Sequence, residues 1–114
     1  MIIPADKLRA VEEAYTPPKL DKDALVIALC KDESAWVRAC AVNYTMNCDI
    51  VKATDAAVDR NTDDVSFVRE MALLAAAKLS PDRVEPIAEK HLTDDEAVVR
   101  QQAALITTRR ASVA

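Results

Sequence analysis

From Val65 to Leu79 the chain reads VSFVREMALLAAAKL, with only Ser66, Arg69, Glu70 and Lys78 polar. The length and composition predict a helix, and one apolar around most of its circumference must be covered on several sides. The preceding Asp63-Asp64 marks a turn, because short acids bond their own backbone there. The same succession of acid pair, short spacer and Val-Arg stands at DESAWVRA (32–39), DDVSFVRE (63–70) and DDEAVVRQ (94–101). Asp32, Asp63 and Asp94 recur every 31 residues, as do Arg38, Arg69 and Arg100, and Ala41, Ala72 and Ala103. A fixed period of this size is the mark of stacked supersecondary units.

Each unit reads as two helices. In the third, Ser80-Pro81 predicts a helix start, with Ser as N-cap and Pro in the first turn. Val84, Ile87, Ala88, His91 and Leu92 follow at helical spacing as one apolar-leaning stripe. Thr93 and Glu96 fit a capping box ahead of a second helix of about 15 residues. One period before Ala41 lies Ala10, in KLRAVEEAY, with Lys7 at the arginine position, so the N-terminus reads as a degenerate half-unit. Gln102 and Arg110 replace Cys40/Met71 and Cys48/Leu79, the polar turn expected of a capping unit. Together these features predict a complete set of units.

The motif D-x-x-x-x-V-R-x-x-A, carried by Asp32, Val37, Arg38 and Ala41 and their two sets of equivalents, resembles HEAT-like repeats of the phycobilisome-lyase type over residues 19–110. It departs from that pattern at Met46, Ala77 and Thr108, where glycine is usual, which suggests longer second helices. The resemblance implies an all-α fold: a short right-handed α-solenoid of HEAT-like helix pairs with an N-terminal capping helix. The expected division is a capping helix and linker at 1–18, units at 19–49, 50–80 and 81–110, and a tail at 111–114. It implies most often a protein-binding scaffold, sometimes a bilin-lyase subunit, and less often a DNA-lesion enzyme or di-iron hydroxylase. The di-iron type needs recurring His-Glu pairs, and His91 is the single histidine, followed by Leu.

Composition narrows the chemistry. Across 114 residues there is no glycine, so no phosphate-cradling glycine loop exists, and no Ser/His/Asp set or metal cluster is visible. A net charge of −4 disfavours a general nucleic-acid binder, since phosphate neutralisation needs concentrated Lys and Arg. Cys30, Cys40 and Cys48 are odd in number without CxxC spacing, which fits reduced thiols in a cytoplasmic protein. Cys30 is the expected exposed thiol, and Cys40 and Cys48 the buried ones. No secretory signal and no membrane-length apolar run is present. RRASV (109–113) has the form of a basic-directed kinase site and reads better as a frayed tail or a labelling tag.

Arg38, Arg69 and Arg100 form either a positive stripe or a structural ladder pairing with turn aspartates; recurrence in phase favours the ladder. Taking Val37, Ala41, Tyr44 and Cys48 as the inward stripe of a helix projected at about 100° per residue leaves Ala35, Arg38, Ala39, Val42 and Met46 outward. The partner-binding candidates on this arc are Arg38, Ala39, Val42 and Met46, then Arg69, Glu70 and Leu73, then Arg100 and Gln101. Two readings stand for it: a docking face, or a face covered by the N-terminal helix at 5–15. Trp36, Phe67 and Val98, also in phase, are expected in the core between units, and His91 as half-buried structure. The function expected is a non-enzymatic scaffold or adaptor without cofactor, binding another protein through the second-helix, concave face, with a homodimer as one form of partner. A bilin-lyase-like subunit and a nucleic-acid-binding module are the alternatives.

Overall fold

The computed structural model describes residues 4–7, 9 and 21–113, and among these the chain is all-helical. Residues 5–7 and 9 are helical; the rest of the expected N-terminal helix lies outside the described residues. Helix α1 spans Lys22–Leu29 and α2 Ala35–Asn47. A 3₁₀ turn at Val51–Ala53 leads into α3, Thr54–Asp59, and a second at Arg60–Thr62 precedes α4, Ser66–Leu79. Helix α5 covers Pro81–His91 and α6 Ala97–Val113. No helix among the described residues is long and apolar enough to cross a membrane.

Local chemistry explains the boundaries. Asp32, Asp63 and Asp94 each accept a backbone N–H two residues on, from Ser34 (2.9 Å), Val65 (3.0 Å) and Glu96 (2.9 Å). These aspartate turns stop one helix and aim the chain into the next. At Asp94 the turn displaces the expected Thr93–Glu96 capping box, so α6 begins only at Ala97. Ser80 and Pro81 start α5 as expected, although the Ser80 side chain makes no capping bond. After α2 the chain turns through Asp49, whose φ of 51° is left-handed. That is the place where a glycine ordinarily closes a helix, and this sequence has none.

Helices α2, α4 and α6 pack in sequence, α2 on α4 and α4 on α6, with α3 and α5 against the same helices. One apolar cluster joins Cys30, Ala41 and Val42 to Ala57 and Ala75; the other joins Val58, Leu73 and Ala76 to Val84, Ala88, Val99, Ala103 and Ile106. Alanine and valine make up most of both clusters. Leu73 and Val42 are wholly buried, and full burial of such side chains stabilises by about 1.5–3 kcal/mol each.

This packing corrects the expected helix orientation. The arc read as outward is largely inside: Arg38, Ala39, Val42, Arg69 and Leu73 are buried, and Met46 and Glu70 are half-buried. Only Arg100 and Gln101 of the candidates are exposed, because α6 has no neighbour on its far side among the described residues. The buried side is turned by roughly a quarter of the helix circumference from the stripe inferred from Val37, Ala41, Tyr44 and Cys48. Among the described residues the clusters that enclose this arc draw on α1 and α3 to α6, and most of the N-terminal helix expected at 5–15 as the alternative cover lies outside those residues. The thiols are reversed as well. Cys30 is fully buried, whereas Cys40 and Cys48 are exposed, having fallen on the outer side of α2 and at its end.

Candidate functional site

The rotation that buries the arginines brings a different row of residues to the surface. Trp36 in the first turn of α2 is 71% exposed, Phe67 in the first turn of α4 is 40% exposed and Val98 in the first turn of α6 is 46% exposed. They were expected between units and instead stand outside them, each displaced along its helix from the arginine by two residues, or about 200°. Trp36 and Phe67 meet edge to face, with ring centroids 6.2 Å apart and planes at 60°. That geometry is favourable for aromatic rings, and it bridges neighbouring helices at the surface.

Below the two rings runs a groove of about 390 Å³ between α2 and α4. Trp36, Ala39, Cys40 and Asn43 form one wall, and Phe67, Glu70, Met71 and Leu74 the other. Two turns on, Leu105 of α6 is 51% exposed, extending the apolar surface beyond Val98. Positions 36, 40 and 43, with their equivalents 67, 71 and 74, follow the i, i+4, i+7 spacing of one helix face. Of the expected site residues, this groove holds Ala39 and Glu70 alone. Val42, Leu73, Arg38 and Arg69 lie on the opposite side of their helices, and Arg100 and Gln101 at the far end of the packed series.

The arginines form the ladder. Arg38 Nε donates to Asp63 Oδ2 at 2.8 Å and its Nη2 to Asp63 Oδ1 at 3.1 Å. Its Nη1 donates to the Asp32 and Glu33 carbonyls of its own turn, at 2.8 and 3.1 Å. Arg69 repeats this arrangement with Asp94, at 3.0 and 2.9 Å, and with the Asp63 carbonyl at 2.8 Å. Each planar fork thus ties its own turn to the turn of the next unit. Arg38 and Arg69 are thereby turned inward, and of the three arginines only Arg100 is exposed.

Two further members of the ladder escaped the sequence reading. Arg60 Nη1 reaches Asp63 Oδ2 at 3.5 Å, and His91 Nδ1 lies 3.0 Å from Asp94 Oδ2. Both stand three residues before the repeated aspartate and one period apart, a signal visible in the register; Leu29 occupies the place in the first unit. His91 Nε2 lies 3.1 Å from Asn61 Oδ1, and Asn61 Nδ2 donates to the Val58 carbonyl at 2.7 Å. The His91 ring therefore lies between oxygen atoms of Asp94 and Asn61.

Burial alone would raise the Asp94 carboxyl. Donation from Arg69, the Glu96 N–H and His91 outweighs it and holds the group far below the ordinary carboxylate range. Asp63 is lowered in the same way: burial opposes, and Arg38 with the Val65 N–H prevails. Burial pushes the Cys30 thiol up, marking it as packing material. Among the described residues no group of three or more His, Cys, Asp or Glu side chains is placed to hold a metal ion. The Arg110–Val113 side chains of the kinase-like motif lie outside the described residues. Comparison of the chain with protein-family models, with curated proteins and with solved structures finds no match.

Proposed function

We propose that the chain is a small non-enzymatic protein-binding module, a short right-handed α-solenoid of HEAT-like helix pairs that docks a partner on the second-helix, concave face. The observation carrying this reading is the exposed Trp36–Phe67 pair over an apolar groove. Large aromatics are typical anchors of interfaces, and a contiguous apolar strip rimmed by polar residues marks a contact surface. The occupant that fits is an amphipathic helix of another protein, its apolar side chains entering between α2 and α4 at successive turns. Glu70 on the groove wall favours a Lys or Arg on that helix beside the apolar anchors.

The test is photocrosslinking from position 40 or 71 in wild type and in a Trp36→Asp/Phe67→Asp variant. Both replaced side chains are exposed, so circular dichroism and the unfolding midpoint should stay near wild type. A crosslinked partner obtained from wild type and lost in the variant supports the reading, provided that a peptide from its crosslinked segment binds the purified protein. Equal crosslinking of both proteins sinks it.

A further inference from the structure

Among the described residues the arginine ladder has an unpaired cation at one end and an unpaired acid turn at the other, and they complement each other. Arg38 and Arg69 each hold one guanidinium edge on their own turn and offer the other to an aspartate 25 residues ahead. Arg100 keeps the first half of this arrangement, its Nη1 donating to the Asp94 carbonyl at 2.7 Å. No carboxylate among the described residues reaches the Arg100 side chain. Its outer edge is oriented and exposed.

At the other end, Asp32 makes the same turn bond as Asp63 and Asp94, to the Ser34 N–H at 2.9 Å. Glu33 stands beside it where Asp64 and Asp95 stand in the later units. Arg38 and Arg69 also reach these second acids, at 3.4 and 3.3 Å. No cationic side chain among the described residues forms an ion pair with Asp32, not even Lys7, which the 31-residue register sets opposite it. Leu25, 42% exposed, occupies in the first unit the place of Ala56, which packs against the first core cluster.

We propose that the Arg100 end of one copy docks on the Asp32–Glu33 turn of a second copy, repeating between chains the contact that joins the units within one. The occupant follows from continuity with an interface built twice inside the chain and from the matching charges. Such a contact is head-to-tail and does not close on itself, so it adds copies in a row as concentration rises. Ala104 stands exposed where Leu73 is buried one period earlier, so little apolar area supports the contact and its charges dominate. It is weak and salt-sensitive.

Sedimentation velocity across a concentration series up to the near-millimolar range tests this. Wild type should rise in average mass above the 12.5 kDa monomer with concentration, and fall back in high salt. Arg100→Asp and Asp32→Arg should each remain monomeric, while their equimolar mixture recovers the rise, because each variant then offers the charge that the other lacks. Asp32→Asn preserves the turn acceptor and should also weaken association, which guards against a folding defect in Asp32→Arg. Trp36→Asp should associate as wild type does. A wild type monomeric throughout, single charge reversals that still associate, a folded mixture that fails to recover, or dependence on Trp36 would each overturn the proposal.

Discussion

Arg69 grips Asp94 with both prongs of its guanidinium edge while its remaining nitrogen holds the carbonyl of Asp63, so one side chain fastens two consecutive turns. The pair is almost wholly enclosed, with side-chain exposures of 11% and 6%. A buried pair of this kind adds little over a well-packed apolar substitute, but losing one partner strands the other.

Arg69→Ala should therefore destabilise by about 3 kcal/mol, since Asp94 is left a buried carboxylate without its guanidinium, held only by His91 and the Glu96 N–H. Arg100→Ala, the same residue type at the same place in its unit, should change stability by less than about 0.5 kcal/mol because it is exposed. Urea unfolding of the two variants measures the difference, and equal losses would contradict the ladder.

Acid should unfold the protein through the same residues. A carboxyl whose folded value is lowered contributes stability that is complete above its unfolded value, near pH 4. That contribution is lost as pH falls through the folded value. Asp63 and Asp94 are both lowered, so stability should decline steadily below about pH 4. Asp94→Asn should start lower at neutral pH and fall less on acidification, as thermal melts at a series of pH values would show.

The two faces of α2 should respond oppositely to the same substitution. Val42→Asp places an unpaired charge in a fully enclosed site and should unfold the domain, whereas Trp36→Asp should shift stability by no more than about 0.5 kcal/mol. Circular dichroism with thermal melting distinguishes them. A folded Val42→Asp protein would overturn the helix orientation given above.

Asp49→Gly should stabilise the protein by about 0.5–1 kcal/mol, because glycine adopts the left-handed conformation without a Cβ clash. The gain is reduced by the greater freedom of glycine in the unfolded chain, so an unchanged midpoint would mean that Asp49 is locally compensated.

A thiol reagent should titrate Cys40 and Cys48 in the native protein and reach Cys30 only on unfolding, as mass spectrometry of labelled peptides would reveal. Rapid native labelling of all three would contradict the packing of α1 against α2.

The sequence by itself determined the helical class, the 31-residue register and the turn aspartates, because each depends on local spacing that repeats three times, and recurrence in phase favoured the ladder over a positive stripe. Recurrence also located Trp36, Phe67 and Val98, but not the side of the helix on which they stand. That choice belonged to the tertiary structure. Projection of one helix supplies relative angles only, and treating arginine as outward turned the frame by a quarter. Arg38 and Arg69 enter the interior because Asp63 and Asp94 arrive from the next unit to neutralise them, a pairing that exists only when the units stack. With two charged side chains committed inward, the small and apolar residues beside them, Ala39, Val42 and Leu73, follow, and Trp36 and Phe67 face outward. The seam between units is therefore partly ionic, and the surface groove is the more apolar for it.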